Sequence, residues 1–292
     1  MAPTTSHRLG LVIEGGGFRA LYAAGVLDVL LELHLPVRGV IGVSAGAIHG
    51  VSFVSGQKER SLRIYTRFAK DDRLWSLWRW LKTGDLIDPK FCYGDIPDRL
   101  EVFDYEAFTR SGIDFYSTCS NVETGEPEYL RLSRWPDDMD GLRASASLPY
   151  VSPLIPFRGM KLLDGGCTDR VPLAAFESLG YDVNIVIETH PHGHRVKDRD
   201  AAAAKWWYRK YPKFVESFEK NGERYQETVR LIDRREKEGR VFSIRPHVPI
   251  PVKRLTRNPD DIRCAYEMGK ADAERAVERL TIWAAQWSGA SA

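Results

Sequence analysis

The sequence has few cysteines, no long apolar run, almost no net charge and no internal repeat, and each shortage excludes a class of protein. Its four cysteines, Cys92, Cys119, Cys167 and Cys264, lie far apart without C-x-x-C or Cys/His ligand spacing, which argues against a disulfide framework and against a structural zinc site. A reducing, cytoplasmic setting follows as the expectation. Forty-two Lys and Arg offset 40 Asp and Glu, a formal charge of +2, so no global field draws the chain to nucleic acid. No uncharged apolar stretch reaches the ~18 residues of a membrane span, and the opening MAPTTSHR lacks the apolar core of a secretory signal. Contact with membranes is therefore expected to be peripheral.

What the chain does have is apolar sequence, 43% of 292 residues, enough for one large core. Residues 9–13 read LGLVI, and three glycines then precede an apolar stretch of helical length at residues 18–33. Its Asp28 and Glu32 share one thin solvent stripe, which predicts a helix buried on most sides. A second run at residues 39–43 is apolar on both faces, as a covered parallel strand must be, and a further helix opens after Ser44. Runs at residues 113–119, 128–132, 160–163, 183–188 and 241–244 supply more strands. The alternation implies a three-layer α/β/α domain with a mainly parallel central sheet, and residues 57–110 and 191–240 interrupt it as helical insertions. Asn258-Pro259-Asp260-Asp261 supplies a cap, a proline at the first helical position and acids in the first turn of a last helix. That helix carries Ile262, Ala265, Gly269, Ala273, Ala276, Leu280 and Trp283 on one face. No repeat or composition shift marks a linker, so one domain over residues 1–292 is expected. Its core is placed at about 8–190, with a strand and helix at about 241–287 packed on it.

Gly42-Val43-Ser44-Ala45-Gly46 is a G-x-S-x-G motif between a predicted strand and a predicted helix, the context in which the serine occupies a strained turn above the carboxyl end of a sheet. Ser44 is the candidate nucleophile, and Gly42 and Gly46 let neighbouring backbone approach it. Gly15-Gly16-Gly17-Phe18-Arg19-Ala20 fits both a dinucleotide fingerprint and a glycine loop that offers N–H groups to an oxyanion. A nucleotide site needs an acid at the end of the next strand, which here ends Val43-Ser44, and the oxyanion loop gains by that. Arg19 places a cation at the positive end of a helix dipole, either to anchor an anionic substrate or to reach solvent. Asp164-Gly165-Gly166 puts an acid at a strand end on the side where α/β sites form, with a plain Asp-Gly turn as the alternative.

In this order the three motifs resemble the patatin-like phospholipase family, and Ala144-Ser145-Ala146-Ser147-Leu148-Pro149 with Ile244-Arg245-Pro246 resemble its bacterial branch. The resemblance implies a patatin-like, α/β-hydrolase-related fold and a lipid acyl hydrolase with a Ser-Asp dyad. Ser44 would be the nucleophile and Asp164 the base. Gly15, Gly16 and Gly17 would form the oxyanion hole, with Arg19 and Ala45 beside it and Gly165 and Gly166 supporting the turn after the base. Ala20 stands where the family's loop usually ends in glycine.

A carboxylate paired directly with a serine is a weak base, so the site has to be dry, which predicts a closed apolar pocket. The chain order Ser44, Asp164 and then His190, His192 or His194 also fits a triad, and the H-x-H-x-H spacing fits a metal site or a plain surface loop. His49 reads as a packed or solvated side chain. Trp75, Trp78 and Trp80 in one insertion, and KWWYRKYPK at residues 205–213, mix aromatics and cations as interfacial segments do, the other reading being core packing of a helical lid. The expected activity is hydrolysis of a long-chain acyl ester, a phospholipid or lysophospholipid, through an acyl-enzyme on Ser44, with no metal or organic cofactor. Its rivals are acyl transfer to an alcohol from the same intermediate, a nucleotide-binding regulator using residues 15–20, and a catalytically silent adaptor.

Overall fold

The computed structural model describes residues 7–196 and 201–287; residues 1–6 of the polar opening MAPTTSHR lie outside them. One sheet contains eight strands, β1 (Leu9–Ile13), β2 (Gly39–Val43), β3 (Asp114–Asn121), β4 (Pro127–Arg131), β5 (Ile155–Phe157), β6 (Met160–Asp164), β7 (Val183–Ile187) and β8 (Val241–Ile244). The helices before β6 are α1 (Leu21–Glu32), α2 (Ala45–Val54), α3 (Arg60–Phe68), α4 (Leu77–Thr83), α5 (Tyr105–Arg110) and α6 (Met139–Ser145). Those after it are α7 (Leu173–Ser178), α8 (Ala201–Trp207), α9 (Pro212–Glu219), α10 (Asn221–Lys237) and α11 (Pro259–Ala285).

The neighbours β3-β2-β1-β7-β8 are all parallel, and β1, β2 and β7 are buried at every residue. Alternate residues of β1 serve opposite faces, as the strand period requires. Leu9, Leu11 and Ile13 join a core with α1, α2 and α11, whereas Val12 packs with Leu173, Phe176, Tyr225 and Ile232 from α7 and α10. Each expected strand appears within two residues of its predicted bounds. The additional one, β5, is a three-residue Ile-Pro-Phe segment too short and too proline-bound to announce itself. Among the described residues the regular structure of both insertions is helical, and α11 is capped as expected, Asn258 Oδ1 accepting from the Asp260 N–H at 3.1 Å.

Helix α1 is more enclosed than its pattern implies, and Asp28 is a correction. Instead of sharing a solvent stripe with Glu32, it lies under α11 and accepts from Tyr266 Oη at 2.8 Å and from the Glu59 N–H at 3.0 Å. The two helices cross with their backbones touching. A Cβ on Gly25 would fall 2.1 Å from the Tyr266 carbonyl oxygen, and one on Gly269 only 1.9 Å from that of Tyr22.

The register of β3 brings the distant motifs together. Residues 116–118 pair with both β2 and β4, and Cys119 and Ser120 pair with both β4 and β6. A strand has two edges, so β2 and β6 share the edge opposite β4, end to end and oppositely directed. Val43, the last residue of β2, faces Thr118, while Asp164, the last of β6, faces Cys119. The carboxyl ends of the two strands thus meet. Asp164 lies on the expected side of the sheet, but its strand arrives there antiparallel, from beyond the end of β2.

Candidate active site

Ser44 sits between β2 and α2 with φ 56° and ψ −128°, a conformation that a non-glycine residue holds only when its surroundings enforce it. The enforcement is visible. A Cβ on Gly42 would fall 2.5 Å from Ala47 Cα, and one on Gly46 2.7 Å from the Glu14 carbonyl oxygen, so no other residue permits this approach of α2 to the sheet. The Ser44 N–H donates to Ser145 Oγ at 2.9 Å, and that hydroxyl donates to the Thr118 carbonyl at 2.7 Å. Ser145 therefore ties the turn to β3.

Asp164 is 4% exposed. Its Oδ1 accepts from the Gly166 N–H at 2.7 Å, and its own N–H donates to the Ser147 carbonyl at 2.8 Å. Asn221 of α10 secures the following turn by donating to the Gly166 carbonyl at 3.1 Å while accepting from Arg170 Nε at 2.5 Å.

The glycine loop leaves β1 against Ser44: a Cβ on Gly15 would stand 3.0 Å from that of Ser44. Gly17 has φ 60°, and the Phe18 N–H donates to the Arg254 carbonyl at 3.0 Å. Ala20 has φ −68° and ψ −5°, an ordinary right-handed conformation, so its departure from glycine leaves the turn intact. Behind the loop lies a buried clamp. Glu14 accepts from the Thr189 N–H at 2.5 Å and contacts His190 Nδ1 at 2.9 Å, while Thr189 Oγ1 donates to the Gly15 carbonyl at 2.8 Å. Burial alone would raise the Glu14 pKa, but the charge and hydrogen bonds of His190 and Thr189 outweigh it and hold the carboxyl below its ordinary value.

A small recess is lined by Ser44, Asp164, Gly15, Gly16 and Gly166, with Arg19, Arg170, Arg254 and His190 around it. Arg19 is half-buried there, and its Nε has no hydrogen-bond partner. Leu148 also borders a second space, an apolar cavity of about 170 Å³ that begins at Gly17, Phe18 and Ala45 and is walled by residues such as Ile48, Val51 and Leu142. The closed apolar pocket expected around Ser44 and Asp164 is thus corrected: both line the polar recess, and the apolar cavity lies beside it. Of the histidines, His190 is buried in the clamp, His194 stacks on it at 4.2 Å, and His192 is exposed and paired with Asp233. Among the described residues no group of three potential ligands gathers there. His49 is packed, with Nδ1 2.9 Å from Ser61 Oγ, and burial pushes its pKa down to about 3.

A serine at a strand-to-helix elbow over a mainly parallel sheet, in a polar recess beside an apolar cavity, is the architecture of an α/β ester hydrolase. Known sequences narrow the class: the chain belongs to the patatin-like phospholipase family, whose model matches residues 11–177, and is thereby a lipid ester hydrolase. A domain of unknown function matches residues 211–284, the stretch that supplies Asn221. The chain is 24% identical over 278 residues to the uncharacterized protein YjjU of Escherichia coli (strain K12), covering 92% of this chain and 77% of that protein. To lysophospholipase nte1 of Aspergillus terreus it is 30% identical over 186 residues, 62% of this chain but only 12% of that protein. The crystal structure of VipD from Legionella pneumophila aligns with 94% of this chain and 67% of that one, at 12% identity and a TM-score of 0.44.

Sequence reasoning missed Ser145, Glu14, Thr189, Asn221 and Arg254. The one usable signal was Glu14 itself, a charged residue closing an otherwise apolar strand directly before the glycines.

Proposed function

We propose that Ser44 and Asp164 act as a catalytic dyad that cleaves the long-chain acyl ester of a phospholipid or lysophospholipid. The observation that carries this is the meeting of the β2 and β6 ends on one edge of β3, which sets the elbow serine and a buried carboxylate at the same level beside an apolar cavity. Ser44 Oγ attacks the ester carbonyl and Asp164 takes its proton. The negative oxygen is met by N–H groups of Gly16, Gly17 and Ala45, and the proton passes to the departing alcohol. Water, activated by Asp164, then releases the fatty acid. Arg19, Arg170 and Arg254 around the recess suit an anionic head group.

The chain works as one patatin-like domain in this reading, approaching lipid peripherally. Among the described residues no helix is long and apolar enough to cross a membrane, but Trp78 of α4 is 75% exposed beside Leu77 and Leu81, and Trp206 and Trp207 of α8 are also exposed. Tyr150 links the two helices, its carbonyl accepting from Trp80 Nε1 at 3.1 Å and its ring meeting Trp207 edge-on at 5.9 Å. Exposed Arg209, Lys210 and Lys213 supply the charge that anionic lipid attracts. Trp75 and Trp80 do not belong to this surface, since both are half-buried with their indole N–H groups bonded to backbone carbonyls. Incubation with lysophospholipid and a competing alcohol tests the reading: free fatty acid is the expected product, an acylated alcohol in its place identifies a transferase, and no acyl release from any lipid refutes it.

A further inference from the structure

The apolar cavity has one charged wall. It runs along α2 past Ile48 and Val51 to Arg60, whose Nη1 lies 3.5 Å from Ser52 Oγ. Ser52 follows Ser44 by eight residues, which places Arg60 about 12 Å along the helix from the nucleophile at 1.5 Å per residue. Arg60 is 5% exposed. Its Nη2 donates to the Glu101 carbonyl at 2.9 Å, and its guanidinium lies 5.2 Å from the centre of the Phe103 ring. Its Nε has no hydrogen-bond partner; the Glu101 carboxylate, engaged by Arg63 at 2.7 Å, favours the Arg60 charge from a distance without pairing directly with it.

Burial lowers the Arg60 pKa to about 10, so the group stays cationic at neutral pH. The other polar groups in the wall provide no counter-charge. Burial pushes the Cys92 thiol up to about 12 and the Tyr93 hydroxyl well above its usual value, leaving both neutral. A desolvated cation with an idle N–H is costly when its partner is missing, and a methyl-ended hydrocarbon chain does nothing to relieve it.

We propose that this cavity selects acyl chains of roughly nine carbons, the reach of about 12 Å, that end in a carboxylate, with Arg60 as the residue that determines this specificity. The inference rests on the ester cleavage at Ser44 read above, but replaces the long acyl chain of that reading with a shorter, charged one, and it names the substrate class: esters of medium-length dicarboxylic acids.

The test compares two esters of one alcohol, the monoester of nonanedioic acid and the ester of nonanoic acid. The wild-type kcat/KM should favour the carboxylate-ended ester by about tenfold or more. Arg60→Met should reverse the preference and Arg60→Lys should keep part of it, with thermal melting confirming that both variants fold. Binding of the same two esters to Ser44→Ala reads selection without hydrolysis, so tighter binding of the carboxylate-ended ester there upholds the inference even if neither ester is cleaved by the wild type. Equal or methyl-favouring selectivity and binding, unchanged in folded Arg60→Met, would overturn it and leave Arg60 as a structural tie to Glu101 and Phe103.

Discussion

Ser145→Ala is a sharp test of how the elbow is held. Ser145 is fully buried, and its hydroxyl accepts from the Ser44 N–H while donating to the Thr118 carbonyl. Alanine keeps the packing but leaves a buried donor and a buried acceptor without partners, at about 1–3 kcal/mol each, so destabilisation of about 2–6 kcal/mol is expected. In a chain of this size that lowers the melting temperature by about 3–10 °C. Turnover should fall further than stability alone requires, by roughly 10- to 100-fold even well below the melting range, because the strained Ser44 backbone loses its tether to β3. Ser147→Ala is the internal control: Ser147 Oγ, two residues beyond α6, donates to the Arg143 carbonyl at 3.0 Å in the last turn of that helix, and about 1 kcal/mol or less should be lost. Calorimetry and the rate of labelling by a fluorophosphonate measure the two effects. A Ser145→Ala protein that melts and labels like the wild type would refute the tether.

Asp164→Asn should reduce turnover by on the order of a thousandfold, since an amide cannot take the serine proton, whereas His190→Asn, which loosens the clamp behind the glycine loop, should cost roughly tenfold. The reverse ranking would make His190 the base, with Glu14 as its orienting partner. Burial raises the Glu188 pKa to about 7 against the pull of Arg245 and Ser243, from an ordinary 4.5. The folded chain therefore holds the extra proton, and this group's contribution to stability declines as pH rises from about 4.5 to about 7. Glu188→Gln should flatten that part of the melting-temperature profile, and an unaltered slope would contradict the assignment. Replacing Trp78, Trp206 and Trp207 together by Ala should weaken co-sedimentation with anionic vesicles and depress activity on vesicles more than on a short soluble ester; undiminished co-sedimentation would remove the membrane role.

The layers of the fold were readable because β1, β2 and β7 are apolar at nearly every position and the glycines and capping residues punctuate them. Strand direction was not. Asp164 looks the same at the end of a parallel or an antiparallel strand, and only the shared edge of β3 shows that it faces the elbow from the opposite side. The helix pattern misplaced Asp28 because a stripe of two acids carries no sign that α11 will cross at Gly25 and Gly269. The residues that hold the site, Ser145, Thr189, Asn221 and Arg254, act through hydrogen bonds to groups distant in the chain, a relation without any local sequence period. The aromatic insertions were legible as a group, but their division into exposed Trp78 and half-buried Trp75 and Trp80 depends on which backbone carbonyls their indoles reach.

The most direct test of the central claim is fluorophosphonate labelling of the wild type and Ser44→Ala in the presence of EDTA, with the labelled residue located by peptide mass spectrometry. Stoichiometric labelling at Ser44 that survives chelation is expected, with a folded Ser44→Ala protein that neither labels nor releases fatty acid from lysophospholipid. Label on another serine, or lipid hydrolysis that persists in Ser44→Ala, would contradict it.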